Sequence, residues 1–143
     1  MKLNILYKKN FHKESAAKRT FKDSVKKTAG KISDEEEKEI GTLNVIFCGD
    51  ELIREYNKKF LGHDYETDII TFHDVDENGL MEGELLISVD TVKENSKRFK
   101  TDFENELMRV VIHGLMHLCG YDDTTVSEKK IIKKKENYYL KYI

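Results

Sequence analysis

The spacing of apolar residues changes along the chain, and each change marks a predicted element. Residues 3–7 alternate between apolar and polar side chains, which predicts a half-buried strand. From Glu14 to about Ala29, apolar side chains recur every fourth position, and Gly30 follows, which predicts a helix. The segment Ser33–Glu36 has the pattern of a capping box, although the strand that follows limits any helix there.

The middle of the chain predicts a hairpin and a short helix. Asp50 is predicted to cap a helix that ends at Gly62. Three segments rich in β-branched and aromatic residues predict strands, at residues 43–48, 68–72 and 83–88. Asn78 and Gly79 lie between the last two strands and favour a hairpin, with a loop longer than two residues.

The last third of the chain is helical in pattern. One helix is predicted from Asp90 to about Phe99, a long one after a cap at Asp102, and a last one over residues 126–142. The sequence contains no proline and no internal repeat. These elements predict a single α+β domain over residues 1–143, with a mixed sheet of about four strands and helices packed mainly on one face.

Two histidines on the long helix suggest a metal site at its end. His113 and His117 are four residues apart, so both side chains project from the same helix face. Gly120 predicts the helix end, and the turn after it carries Asp122 and Asp123. Two histidines and one carboxylate can hold zinc and leave a fourth position open, which distinguishes catalytic zinc sites from structural ones.

The residues around this histidine pair favour a metal site over simpler roles. The histidines could be surface residues, or core residues bonded to backbone carbonyls, but the surrounding run is almost entirely apolar and buried ionisable groups must be satisfied. A zinc peptidase of the His-Glu-x-x-His type needs a glutamate as general base at position 114, where this chain has glycine. Gly114 leaves room for a packed neighbour or for a substrate, and packing is the commoner reason.

Charge is distributed unevenly although the net charge is only −2. Residues 1–31 carry +8, residues 32–128 carry −15 and residues 129–143 carry +5. Basic segments can bind polyanions such as RNA, although Lys-rich helices often have only solvated outer faces. In the first segment the candidates for RNA contact are Lys18, Arg19, Lys22 and Lys26.

Cysteine usage and hydropathy indicate a cytosolic protein. Cys48 and Cys119 are far apart and have no CxxC spacing, so we expect reduced, buried thiols. Cys119 follows His117 by two residues and should point to a different face, which favours packing over a ligand role. No apolar run approaches the length of a membrane span.

Several blocks of the sequence resemble the YbeY family, bacterial endoribonucleases of ribosomal RNA maturation. The run His113-Gly-Leu-Met-His117-Leu-Cys-Gly-Tyr-Asp-Asp123 is similar to the family signature, which normally ends in a third histidine. Upstream, Asn57, the segment 64–72 and the strand 83–88 are similar to further family blocks, in order and with compatible spacing. The resemblance covers about residues 43–123.

The resemblance implies a function. It implies a zinc-dependent, single-strand-specific endoribonuclease of the cytoplasm, acting in late 16S rRNA maturation at the 3′ end and in ribosome quality control. The implied cofactor is one Zn²⁺ or another divalent ion per chain, held by His113, His117 and Asp123. The implied partners are ribosomal RNA, the small ribosomal subunit and ribosome-associated proteins, without a membrane. No general acid or base is assigned.

Three departures from the family pattern leave a second hypothesis open. Asp123 stands in place of the third histidine, Leu61 in place of an arginine, and Glu66 in place of a proline. An arginine near the metal could clamp a phosphate, and Lys58 or Lys59 is a candidate to replace it. The alternative is a non-catalytic ribosome-assembly or RNA-binding factor with a structural or vestigial metal site.

Overall fold

A computed structural model describes residues 1–65 and 67–143, so Glu66 and its departure from the family pattern lie outside the described residues. Within these ranges, four strands form one mixed sheet and five helices pack against it, which confirms the predicted fold class. The elements in chain order are β1 (Lys2–Tyr7), α1 (Ser15–Glu35), β2 (Ile40–Cys48), α2 (Asp50–Leu61), β3 (Ile69–Val75), β4 (Met81–Ser88), α3 (Val89–Arg98), α4 (Phe103–Leu118) and α5 (Val126–Leu140).

The sheet has the strand order β1-β2-β4-β3. β1, β2 and β4 are parallel, and β3 pairs antiparallel with β4 at one edge. The predicted hairpin is confirmed, and its loop is held by the Asp76 carboxylate, which accepts from the backbone N–H groups of Asn78 and Leu80 at 2.8 and 2.9 Å. Gly79 has φ +81°, a conformation that favours glycine.

Most helices cover one face of the sheet. The main core lies between that face and α1, α3, α4 and α5, and it contains Phe47, Leu85 and Ile112, all fully buried. α2 packs on the opposite face, where Ile53 lies against Ile70 and a few neighbours. In the described part of the chain, no helix combines the length and apolarity needed to cross a membrane.

The first helix is longer than its sequence pattern predicts. α1 continues past Gly30 to Glu35 because Ala29 and Ile32 are fully buried against the core and extend the apolar stripe. The predicted capping box at Ser33–Glu36 is therefore wrong, since this segment forms the C-terminal end of α1. Burial of one more turn outweighs the cost of a glycine in the helix interior.

Helix caps are partly as predicted. Gly49, not Asp50, is the N-cap of α2, and the Asp50 carboxylate accepts from the Ser88 and Thr91 hydroxyls at 2.5 Å each. Ser88 caps α3 by accepting from the Thr91 N–H at 3.3 Å. Asp102 occupies the N-cap position of α4 without a side-chain cap bond. Through its bonds to Ser88 and Thr91, the Asp50 carboxylate links α2 to the start of α3.

Candidate metal centre

The two histidines lie in the last two turns of α4, and their imidazole rings are adjacent. The Nε2 atoms of His113 and His117 are 3.0 Å apart, and both rings are only partly exposed. Most of α4 from Glu106 onward is buried, so the sheet and the neighbouring helices fix its position and rotation.

A tight turn after α4 returns the third residue to this pair. Gly120 has φ +100°, and the Tyr121 N–H bonds back to the Met116 carbonyl at 3.0 Å. The Asp123 Oδ2 atom then lies 3.2 Å from the Nε2 atom of His113 and 3.4 Å from that of His117. The structure thus brings together the three residues predicted from sequence, while Asp122 is exposed.

Hydrogen bonds on the far side of each ring fix which nitrogens face the centre. The Nδ1 atom of His113 lies 2.7 Å from a Glu136 carboxylate oxygen, and that of His117 lies 2.8 Å from the Tyr121 carbonyl. Both partners accept, so we assign the proton of each neutral ring to Nδ1. Both Nε2 lone pairs then point at each other and at Asp123, and a cation bound between them would satisfy this cluster of acceptors.

The spacing of these three atoms suits zinc. Ligand bonds of about 2.0–2.2 Å in a tetrahedral site place neighbouring ligand atoms roughly 3.3–3.6 Å apart. The three separations here are 3.0, 3.2 and 3.4 Å. Only a small outward movement separates the observed triangle from that geometry, so the residues present fit the ion.

Electrostatics around His113 also favour a cation. Burial alone lowers the pKa of His113, but its hydrogen bond to Glu136 and the charges of Glu136, Asp68 and Asp123 raise the pKa by more, and the net shift is upward. The same carboxylates that stabilise an imidazolium stabilise a bound metal ion.

Two neighbours of the histidines have packing roles, as their sequence positions suggested. A Cβ atom added at Gly114 would lie 2.7 Å from Ile69 Cδ1 and 2.8 Å from Leu85 Cδ2, so the glycine allows α4 to lie against the sheet. Cys119 is buried among core residues, and burial raises its thiol pKa to about 11. Cys48, the other free cysteine, is also buried.

A groove lined by both cationic and acidic side chains opens beside the centre. It has a volume of about 810 Å³, runs between α3, α4 and α5, and has His113 and Asp123 in its lining. Four cationic side chains line it: Arg98, Arg109, Lys129 and Lys133. The charge of +5 over residues 129–143 indicates the basic α5, but no local pattern distinguishes Arg98 or Arg109, which come from separate helices.

Comparison with known proteins identifies the family. A family model described as Endoribonuclease YbeY matches residues 5–143. The chain belongs to the YbeY family. The Endoribonuclease YbeY of Bacteroides fragilis is 50% identical over 104 residues, which are 73% of this chain and 74% of that protein. The Endoribonuclease YbeY of Chlorobaculum tepidum is 44% identical over 109 residues, 76% of this chain and 79% of that protein.

A solved structure supports the same conclusion. The solution structure of TM1509 from Thermotoga maritima is similar to this fold with a TM-score of 0.65 and 31% identity, covering 97% of this chain and 87% of that one. The resemblance stated from the sequence blocks is therefore confirmed, and it extends beyond residues 43–123.

The position of the usual YbeY arginine is not part of the groove. Leu61 is the last residue of α2 and is exposed, and Lys58 and Lys59 are not among the groove-lining residues that the described chain provides. Guanidinium groups reach the groove instead from Arg98 on α3 and Arg109 on α4. A phosphate clamp in this chain would therefore have to come from different elements.

The remaining residues of the YbeY-like blocks have mixed positions. Asp68 lines the groove, and its backbone carbonyl accepts from the Ser88 N–H at 2.9 Å. The Thr67 hydroxyl donates to the Asp68 carboxylate at 3.4 Å. His63 and His73 are exposed.

A buried carboxylate anchors the turn that carries Asp123. Glu36, at the end of α1, accepts from the hydroxyls of Tyr121 and Tyr139 at 2.5 and 3.0 Å and from Lys135 at 3.0 Å. Its side chain is only 7% exposed. The turn over residues 119–123, which we call the metal-site turn, also holds His117 through the Tyr121 carbonyl. Glu36 therefore connects α1, this turn and α5.

Glu36→Gln should destabilise the protein in a pH-dependent way. Burial raises the Glu36 pKa, but the bonds from Tyr121, Lys135 and Tyr139 lower it by more, so the net shift is downward. Its stabilising contribution is therefore complete above the usual glutamate pKa of about 4.3 and is lost as pH falls through the lower folded-state pKa. We expect a cost of about 1–3 kcal/mol at neutral pH, measured by urea unfolding.

The exposed neighbour Glu39 supplies the control. Glu39→Gln should change the free energy of unfolding by less than about 0.5 kcal/mol. A Glu36→Gln cost that stays constant from neutral pH to about pH 3 would contradict the ionised carboxylate as its source.

Proposed function

We propose that this chain is a zinc-dependent endoribonuclease that cuts single-stranded RNA. Its proposed role is late maturation of 16S rRNA, including 3′-end processing, and ribosome quality control. The proposed setting is the cytoplasm, with ribosomal RNA, the small subunit and ribosome-associated proteins as partners. Its curated relatives are named Endoribonuclease YbeY, which supports an RNA substrate here.

One observation carries the proposal. Three lone-pair-bearing atoms, from His113, His117 and Asp123, face one point at mutual distances of 3.0–3.4 Å beside an open groove. Three protein ligands next to open space fit a catalytic zinc site better than a closed structural one. When bound, zinc lowers the pKa of water and polarises a phosphoryl oxygen.

The protein residues have separate tasks in this proposal. His113, His117 and Asp123 hold the ion, and the hydrogen bonds that the two imidazoles donate to Glu136 and to the Tyr121 carbonyl keep both rings oriented. No residue is assigned as general acid or base.

The groove supports a single strand as substrate. Its volume of about 810 Å³ is in the range of small-ligand sites, which suits a few nucleotides of one strand. Arg98, Lys129 and Lys133 supply positive charge along it, and we assign them to backbone phosphates. Such contacts provide affinity without reading sequence.

The alternative is a non-catalytic RNA-binding or ribosome-assembly factor, which the Leu61 departure favours. It would use the same groove with a structural metal. The presence of Arg98 in the groove weakens this alternative, because a guanidinium group is available despite Leu61. A zinc peptidase is disfavoured because position 114 is a tightly packed glycine rather than a glutamate.

One assay separates the three functions. Purified protein of known metal content is incubated with structured RNA that contains single-stranded segments, and separately with a peptide pool, with and without chelator. We expect RNA cleavage that the chelator abolishes, and no peptide cleavage. RNA binding without cleavage by the metal-loaded protein would establish the binding factor instead.

The groove assignment predicts a change in salt dependence. On single strands, log affinity falls with log salt at about −0.7 per phosphate contact. Reversing charge at Lys129 and Lys133 should weaken RNA binding and make this slope shallower by about 1.4. Fluorescence anisotropy with a labelled single-stranded RNA, over a range of salt concentrations, measures both quantities.

The same helix provides a matched control. Lys130 and Lys134 have the same four-residue spacing but are not among the described residues that line the groove. Their reversal should change the slope much less, and equal effects from both pairs would show that only the overall charge of α5 matters.

Reversal at Lys18, Arg19, Lys22 and Lys26 of α1 should weaken binding further without changing metal content, if the first basic segment also contacts RNA.

A further inference from the structure

The C-terminal helix reaches the metal centre through one buried side chain. Glu136, on α5, has a side chain that is only 9% exposed, and one of its oxygens lies 2.7 Å from the Nδ1 atom of His113. α5 begins with a capping box between Thr125 and Glu128, so the helix has a fixed start directly after the metal-site turn. A residue 23 positions beyond His113 thus contacts a candidate metal ligand.

A second residue of α4 holds Glu136 in place. Arg109, one turn before His113, donates to the other Glu136 oxygen at 3.1 Å and to the Asn137 side-chain oxygen at 2.9 Å. Both oxygens of the Glu136 carboxylate therefore have partners. The arginine also supplies the charge that offsets a buried carboxylate.

The two histidines differ in how they are held. His117 bonds to the backbone carbonyl of Tyr121, which no side-chain substitution removes, whereas His113 depends on Glu136. A carboxylate only accepts, so it keeps the His113 proton on Nδ1 and leaves the Nε2 lone pair toward the centre. Without Glu136, a proton on His113 Nε2 could be donated to Asp123, 3.2 Å away, and would occupy the position of the ion.

We propose that Glu136, held by Arg109, is the positioning residue that sets the tautomer of His113 and thereby the zinc affinity of the centre. This inference rests on the metal centre proposed above. It makes α5 part of the metal site as well as a groove wall. We call a residue that hydrogen-bonds a metal ligand without touching the ion an outer partner. Loss of an outer partner typically costs about 10–100-fold in metal affinity.

Zinc affinity of three variants tests the proposal. Competition with a chromophoric chelator should show binding about 10–100-fold weaker for Glu136→Ala. Glu136→Gln should lie between this variant and the wild type, because the amide oxygen still accepts from Nδ1. Asn137→Ala is the control, because Asn137 bonds Arg109 but none of the three proposed metal ligands. Its zinc affinity should stay within about twofold of the wild type, far below the loss expected for an outer partner. A Glu136→Ala affinity within that range would overturn the proposal.

The tautomer of His113 gives a readout that needs no metal, and its wild-type part needs no alanine variant. Long-range ¹H–¹⁵N spectra of the metal-free wild type, above the pKa of His113, should show the proton on Nδ1, and Glu136→Ala should shift it toward Nε2. A wild-type His113 with the proton on Nε2 would overturn the proposal. If the wild type has the expected tautomer but binds no zinc, the proposed metal-dependent function fails and the tautomer assignment stands.

Discussion

Asp123→Ala should lose most of its bound zinc. The Asp123 Oδ2 atom is the third member of the ligand triangle, 3.2 and 3.4 Å from the two histidine Nε2 atoms, and alanine leaves only two ligands. Loss of a direct ligand should exceed the roughly 100-fold upper range for an outer partner. Metal analysis after dialysis, together with chelator competition, measures the change.

Two substitutions test whether the lost charge alone explains the effect, and whether Asp123 or Asp122 is the third ligand. Asp122→Ala removes the same charge from the same turn, but Asp122 is exposed and outside the triangle, so it should retain the ion. Asp123→His restores the ligand type usual in the YbeY family and should also retain it. If Asp122→Ala is the variant that loses zinc, the assignment of the third ligand is wrong.

Gly114→Ala should destabilise the fold, although alanine is normally the better helix residue. The added Cβ would lie 2.7 Å from Ile69 Cδ1 and 2.8 Å from Leu85 Cδ2, at a point where α4 packs on the sheet. Overpacking of this kind costs about 1–3 kcal/mol. The free energy of unfolding, measured by urea titration of the metal-free protein, should fall by that amount.

Gly30→Ala is the matched control in another helix. Gly30 lies inside α1, and a Cβ there would meet no atom within 4 Å. This substitution should stabilise the protein by about 0.5–1 kcal/mol, because alanine loses less backbone entropy than glycine in a helix. Opposite signs at the two positions would establish packing as the role of Gly114. Equal stabilisation at both would favour the view that Gly114 leaves room for substrate.

The parts of the site that could be predicted from sequence are those set by local chain geometry. The four-residue spacing of His113 and His117 determines their common face, and Gly120 determines the return of the chain. The hairpin at Asn78 and Gly79 was predictable for the same reason. Each of these features depends on a few neighbouring residues, so a single sequence contains the signal.

Other features depend on residues far apart in sequence. Glu136 stands among lysines, and nothing in that pattern distinguishes it from a solvated residue until α5 packs on α4. The groove cations Arg98 and Arg109 could not be recognised either, because they come from different helices that meet only in the fold. The error at the end of α1 arose because local signals, Gly30 and a capping pattern, were outweighed by burial of Ile32.

The most direct test of the central claim is a zinc titration of metal-free protein, with ion occupancy and RNA cleavage followed in the same samples. A 5′-labelled single-stranded RNA serves as substrate, and Asp123→Ala is run in parallel. The proposed function predicts that the cleavage rate rises with occupancy and reaches its plateau at about one ion per chain. Full cleavage by the metal-free protein, or no cleavage by the fully loaded protein, would contradict a zinc-dependent endoribonuclease.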